Sequence, residues 1–298
     1  MPAGLTCART LAEHGADVLK ITASHIAARD DQEYDTGHGK LSARLDLRQS
    51  GDLDALKGLV HEADVFSQGY RPGVLGNRGL SPEELAKLRP GLVHVSLCAF
   101  SHKGPWASRR GFDTVVQNVS GITTRQGELF PGAEPGPQFY PVSAIDYLTG
   151  YLMAFGAMVA LARRAKEGGS WLVRISLAQT GRWLVDRGEV PEAALNDVAE
   201  EIPQADIDRW SVESDTPVGR LRHLGPTVQL SETRTRGAYL NPYFLGEYAV
   251  TVINTRSGGL ARILPSASLA SRALIQSGSA WNSFQFLSAA SRLSCEMT

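Results

Sequence analysis

The stretch Glu62 to Leu97, EADVFSQGYRPGVLGNRGLSPEELAKLRPGLVHVSL, decides the fold. It opens on a short apolar run, Asp64 to Ser67 (DVFS), and closes on another, Leu92 to Leu97 (LVHVSL). Both are brief, apolar and bounded by turn residues, which predicts strands. Between them Ser81 precedes Pro82, and Glu84 follows three positions on. A serine in that place accepts the N–H of the third helical residue. A glutamate there reaches back to the serine's own N–H, and proline suits the first turn. A helix is therefore predicted from Pro82. Strand, helix, strand in one stretch is a βαβ unit, with parallel strands joined by a right-handed crossover.

The alternation continues on both sides. Upstream, Ala8 to Glu13 reads as a helix, Gly15 as its C-terminal cap and Ala16 to Ile21 (ADVLKI) as a strand. Ala43 to Leu47 (ARLDL) alternates as a second strand, and Gly51 to His61 carries Leu53, Leu56, Leu59 and Val60 on a helical stripe. Downstream, Phe112 to Val119 and the long Ala144 to Arg164 read as helices, Trp171 to Ser176 as a strand and Leu177 to Val185 as a helix. The expected fold class is α/β with a largely parallel sheet, in which ligands meet the carboxyl ends of the strands.

Composition sets the outer limits. Of 298 residues, 43% are hydrophobic and 20% charged, which is globular usage. Thirty Lys and Arg against 31 Asp and Glu give a formal net charge of −1, leaving no global field for nucleic acid. The three cysteines, Cys7, Cys98 and Cys295, have no metal-ligand spacing and fit a reducing compartment. No uninterrupted apolar run reaches the roughly 18 residues of a membrane span. The N-terminus lacks the basic-then-apolar order of a secretory signal. A cytoplasmic chain that meets neither membrane nor nucleic acid is expected. Residues 1–185 carry ordinary α/β patterning. Residues 186–236 are acidic and read as a linker with a small structured piece. Residues 237–298 hold ten serines, no lysine and two acidic residues, Glu247 and Glu296, and are expected to lie outside a well-packed core.

Chemistry-bearing motifs are few. Gly37-His38-Gly39 lacks the third glycine of a dinucleotide fingerprint, and there is no GxxxxGK[ST], HExxH or CxxC. Neither metal nor redox cofactor is expected. Arg71-Pro72-Gly73 reads either as a β-turn or as a strand-end loop whose arginine meets a phosphate. Asp146 is the only carboxylate in the apolar run PVSAIDYLTGYLMAFGAMVALARR. It reads either as a favourably placed acid at a helix start or as a carboxylate nucleophile, desolvated by its apolar surroundings. Asp113 suits a cap of the helix it precedes. Ser176 lacks the GxSxG context of a hydrolase. Cys98 reads as a core thiol.

Taken in order, six phrases resemble the family III CoA-transferases, the CaiB/BaiF group. They are LAEHGADVLKI, GKLSARLDL, the stretch from Glu62 to Leu97, GPWASRRGFDTVVQNVSG, SAIDYLTGYLMAFGAMVALARR and GGSWLVRISLAQTGRWL. They run from about Pro2 to Leu184, and TPVGRLRHLGPTVQLSET echoes a later return to the large domain. The resemblance implies a Rossmann-like large domain, with a small domain that is reduced or missing here, in interlocked homodimers. It implies an acyl-CoA and a carboxylic acid as substrates, with coenzyme A itself a substrate and no further cofactor. It places on Asp146 an aspartate that attacks the thioester, giving a mixed anhydride and then an aspartyl-CoA thioester. It places CoA contacts at Lys40, at Gly69 and Tyr70 (where the family has Asn-Phe), and at Arg71, Arg78, Arg110 and Phe112. Racemases of the superfamily have histidine at the position of Phe112, so a two-base proton exchange would lack one partner. Racemase or isomerase activity is the alternative, with a non-catalytic CoA-binding remnant as a third reading. The chain begins near the family's AGP phrase, as Ala3-Gly4-Leu5, so the strand that precedes that phrase is expected to be missing. So is the glycine-rich loop after Leu184.

Overall fold

The turn chemistry forms where the sequence puts it. In the computed structural model, which describes residues 2–23, 25, 34–130, 135–195, 198–199, 201–216, 219–228, 231 and 250–254, helix α1 (Pro2–Glu13) ends at Gly15 with φ 95°. The Gly15 N–H donates to the Ala12 carbonyl at 2.9 Å and the Ala16 N–H to the Leu11 carbonyl at 3.0 Å, the paired bonds that close a helix through a left-handed glycine. Strand β1 (Asp17–Thr22) follows at once, then β2 (Lys40–Arg44), α2 (Ser50–His61) and β3 (Val65–Gln68). At the next helix, α3 (Pro82–Leu88), the Glu84 N–H donates to Ser81 Oγ and the Ser81 N–H to Glu84 Oε2. β4 (Val93–Cys98) completes the βαβ unit. Beyond it lie α4 (Asp113–Val119), α5 (Ile122–Leu129), α6 (Ala144–Glu167), β5 (Trp171–Ser176), α7 (Leu177–Val185) and α8 (Gln204–Trp210). Last come β6 (Ser211–Thr216), β7 (Gly219–Leu224) and β8 (Val250–Asn254).

Several boundaries differ from the sequence reading. α1 begins at Pro2 rather than Ala8, because proline at the first turn costs no hydrogen bond. β2 occupies Lys40–Arg44 rather than 43–47, paired in parallel from Val18 opposite Lys40 to Thr22 opposite Arg44. α5 was not expected. β6 and β7 form an antiparallel hairpin in the stretch read as a linker with a small structured piece.

The main sheet has the order β2-β1-β8-β3-β4-β5. All neighbours are parallel except β8, which runs antiparallel to both β1 and β3. β8 comes from the serine-rich stretch expected to lie outside the core, and for these residues the structure differs. Val252 and Ile253 are 0% and 1% exposed, one on each face of the sheet. The rest of 237–298 lies outside the described residues. Ile253→Val should cost about 1 kcal/mol, the usual loss of one buried methyl group. Urea unfolding measures it, and an unchanged midpoint would mean that β8 does not sit in the core.

Alternation along the strands builds two cores. Val18, Val65, Val93, Val95, Leu97 and Val173 face α1 and α6, while Leu19, Ile21, Phe66 and Val252 face α2 and α3. α6 is 24 residues long and apolar enough to cross a bilayer by length and composition. Its Ile145, Met153, Ala154, Ala157 and Ala160 are buried against the sheet, as in a core helix.

Candidate active site

The first turns of α1, α4 and α6 converge on Asp146. The residue lies in the first turn of α6 and is 2% exposed. Ser143 stands at the helix's N-cap but makes no side-chain cap bond. Asp113, the first residue of α4, supplies the acceptor instead: its Oδ2 takes the backbone N–H of Asp146 at 2.9 Å. Gln117 Nε2 donates to the other Asp113 oxygen, and the Tyr140 N–H donates to Gln117 Oε1 at 3.0 Å. Asp113 is itself 3% exposed. The sequence offered Asp113 only as a cap of its own helix. Its role at the start of α6 joins residues 33 positions apart and leaves no periodic trace.

The Asp146 carboxyl is held between opposing effects. Burial pushes its pKa from 3.8 up to about 7; the positive charge of the amino terminus opposes the rise, the negative charge of Asp113 adds to it, and the Ala3 N–H at the start of α1 lowers it by a smaller amount. Ala3 belongs to the turn of α1 whose N–H groups have no partner within the helix, so its N–H is free to meet the carboxylate. Asp146 Oδ1 is buried without any hydrogen-bond partner. A carboxylate oxygen without a hydrogen-bond donor keeps its lone pairs uncommitted, which suits a nucleophile.

α1 reaches Asp146 because Gly150, one turn along α6, has no side chain. A Cβ there would lie 2.5 Å from Thr6 Cβ and 2.7 Å from the Ala3 carbonyl oxygen. The same helix pair is bound by a polar network. Arg9 Nη1 donates to Asp35 Oδ1 at 2.7 Å, Arg9 Nη2 to the Tyr151 hydroxyl at 3.1 Å, and the Tyr147 hydroxyl to Asp35 Oδ2 at 2.6 Å.

The other residues singled out from sequence lie around this centre. Lys40, at the start of β2, is 4% exposed and its Nζ donates to the Leu5 carbonyl of α1 at 2.9 Å. It therefore meets the same turn of α1 that touches Asp146. Gly69 and Tyr70 follow β3 half-buried, with the Tyr70 N–H on Gln68 Oε1 at 2.7 Å. Arg71 opens the predicted turn, in which Gly73 has φ 84° and the Val74 N–H reaches the Arg71 carbonyl at 3.1 Å. Its exposed guanidinium reaches the Ser108 carbonyl at 3.4 Å, joining this turn to the loop that carries Arg110, also exposed. Phe112 is 44% exposed directly before Asp113. Arg78 is turned toward α2's approach, donating to the Leu47 carbonyl at 2.8 Å. Among the described residues no group of three or more His, Cys, Asp or Glu is placed to hold a metal ion.

The profile of CoA-transferase family III matches residues 1–210, and the chain belongs to that family. Acetyl-coenzyme A transferase nodX of Hypoxylon pulicicidum is 32% identical over 188 residues, covering 61% of this chain and 31% of the relative. Succinyl-CoA–D-citramalate CoA-transferase of Chloroflexus aurantiacus is 30% identical over 208 residues, covering 65% of this chain and 50% of the relative. A crystal structure of Rv3272 from M. tuberculosis superposes with a TM-score of 0.56 at 27% identity, covering 62% of this chain and 54% of that one. The chain thus spans half or less of the length of these two curated relatives.

Proposed function

We propose that this chain moves CoA from an acyl-CoA thioester to a carboxylic acid, with Asp146 as the covalent nucleophile. The observation that carries this reading is the buried Asp146 carboxyl at the start of α6, with Oδ1 unpartnered. In the first step an Asp146 oxygen attacks the thioester carbonyl and the C–S bond breaks, giving a mixed anhydride and the CoA thiolate. The thiolate then attacks the aspartyl carbonyl, releasing the donor acid and leaving an aspartyl-CoA thioester. The acceptor carboxylate attacks that thioester and forms a second anhydride. The thiolate returns to the acceptor's carbonyl and restores Asp146. Donors at the starts of α1 and α6 suit the negative charge that develops on the attacked oxygens. Arg71 and Arg110 are exposed cations at the carboxyl end of the sheet suited to the nucleotide phosphates of CoA, and no further cofactor is required. The relatives named as CoA-transferases support the class of reaction.

The test is to trap the intermediate. The protein is incubated with a panel of acyl-CoAs, quenched with hydroxylamine or borohydride, and its peptides are read by mass spectrometry. Modification of the peptide containing Asp146 is expected. A folded protein that yields no adduct with any donor would overturn the proposal.

The reaction needs Asp146 ionised, so kcat/KM should fall as pH drops below about 7. Asp113→Asn removes a charge that raises the Asp146 pKa while keeping an oxygen for its N–H. The acid limb of the pH profile should therefore move to lower pH. A limb that stays in place would show that the Asp113 charge is not felt at Asp146.

A further inference from the structure

We propose that Asp35 is a positioning residue for Asp146: it fastens α1 to α6 through its two carboxylate oxygens and so holds the first turn of α1 against the start of α6. The inference rests on the reading of Asp146 given above. Each Asp35 oxygen serves a different helix. Oδ1 accepts from Arg9 of α1 at 2.7 Å, and Oδ2 accepts from the Tyr147 hydroxyl of α6 at 2.6 Å. Tyr147 is the residue after Asp146, and Arg9 lies on the helix whose first turn holds Ala3. The Asp35 backbone carbonyl takes a second bond from Arg9 Nη1, at 3.2 Å.

The apolar contact between these helices does not fix their axial position. At Gly150 the helices meet through the Thr6 side chain and the Ala3 carbonyl, with no side chain on the α6 side. Small residues permit close approach, but dispersion contacts alone resist sliding weakly. A hydrogen bond between Ala3 and Asp146 tolerates only a few tenths of an ångström before it weakens. The charged bonds at Asp35 are the stronger and more directional kind and supply that constraint. Burial explains why the clamp needs a carboxylate. Arg9 is 6% exposed, and a buried guanidinium needs an anionic partner. Besides Asp35 it meets the Tyr151 hydroxyl and, at 3.6 Å, Glu13.

The clamp can be separated from a plain charge effect by the sign of what it does. The groups that act on Asp146 are the positive amino terminus, Asp113 and the Ala3 N–H, and those that face Asp35 are Arg9 and Tyr147, with Glu13 and His38 close by. Removing a negative charge acts through space to lower the Asp146 pKa. Loosening α1 removes the Ala3 hydrogen bond and raises it. In Asp35→Ala the two act in opposite directions, and the clamp predicts a net rise of at least about half a pH unit. Tyr147→Phe, which leaves every charge in place, should also raise it, by a smaller amount. The Asp146 titration is followed by carboxyl carbon NMR on the full chain, assigned with Asp146→Asn, so the result does not depend on turnover. A fall, or no change, in both variants while circular dichroism shows a native fold would overturn the proposal. If Asp35→Ala fails to fold, Tyr147→Phe decides alone. If Asp146 moves as expected but no acyl adduct forms, the clamp stands and the proposed nucleophile falls.

Discussion

Asp146→Asn is expected to abolish CoA transfer, with a loss of at least about a thousandfold in kcat, because the amide cannot form the anhydride. The acyl adduct at residue 146 should vanish with it. CoA affinity should change little, since no nucleotide contact is assigned to this side chain. The same substitution carries a second expectation that is independent of chemistry. The Asp146 pKa is raised by folding, from 3.8 to about 7. A group of this kind contributes its stability fully below the unfolded value and loses it as pH rises through the folded one. Asparagine does not titrate, so the variant escapes that loss. At about pH 3, below the unfolded value, the two proteins should be close in stability. At pH 8 the variant should be the more stable by more than about 1 kcal/mol. Urea unfolding at both pH values measures the difference. An equal pH dependence in parent and variant would show that the carboxyl is not desolvated, and the argument for a primed nucleophile would fail with it. Loss of turnover together with a gain of stability is the signature of a residue retained for chemistry at the expense of the fold.

Local chemistry made much of this structure legible in advance. Ser81 and Glu84 announce α3, Gly15 announces the end of α1, and the apolar runs on either side place β3 and β4. Each of these signals acts within a few residues, where propensity and capping dominate. Asp146 was visible for a similar reason, as a lone acid among apolar neighbours at a helix start. What escaped the sequence reading is what depends on distant partners. Val250–Asn254 pairs with β1 and β3, whose residues lie far upstream, and nothing local in a serine-rich stretch reveals an antiparallel partner at the centre of a parallel sheet. The bond from the Asp146 N–H to Asp113 and the two bonds at Asp35 are also long-range. The bond from the Lys40 ammonium to the Leu5 carbonyl joins residues 35 positions apart and is likewise absent from any local pattern.

The second large effect is steric and falls at Gly150. Alanine is the better helix former by about 1 kcal/mol, so a glycine inside α6 needs a reason. Here the reason is the close approach of α1. The missing Cβ would meet Thr6 Cβ at 2.5 Å and the Ala3 carbonyl oxygen at 2.7 Å, and a backbone atom cannot rotate away. Gly150→Leu must push the helices apart and should cost more than about 3 kcal/mol, at the upper end for an overpacked core. Gly150→Ala should still be destabilising, by about 2 kcal/mol, in spite of its gain in helix propensity. Gly58 in α2 supplies the internal control, because a Cβ there meets nothing within 4 Å. Gly58→Ala should stabilise by up to about 1 kcal/mol. The same exchange on two helices thus has opposite expected signs, and thermal or urea unfolding reads both. If Gly150→Ala stabilises as Gly58→Ala does, α1 does not lie against α6 at this point. The effect on chemistry follows from the geometry. Because the obstructed atoms belong to Ala3 and Thr6, separating the helices also draws the Ala3 N–H away from Asp146. The alanine variant, where it remains folded, should therefore show a raised Asp146 pKa and an acid limb shifted to higher pH, opposite in direction to the shift expected for Asp113→Asn.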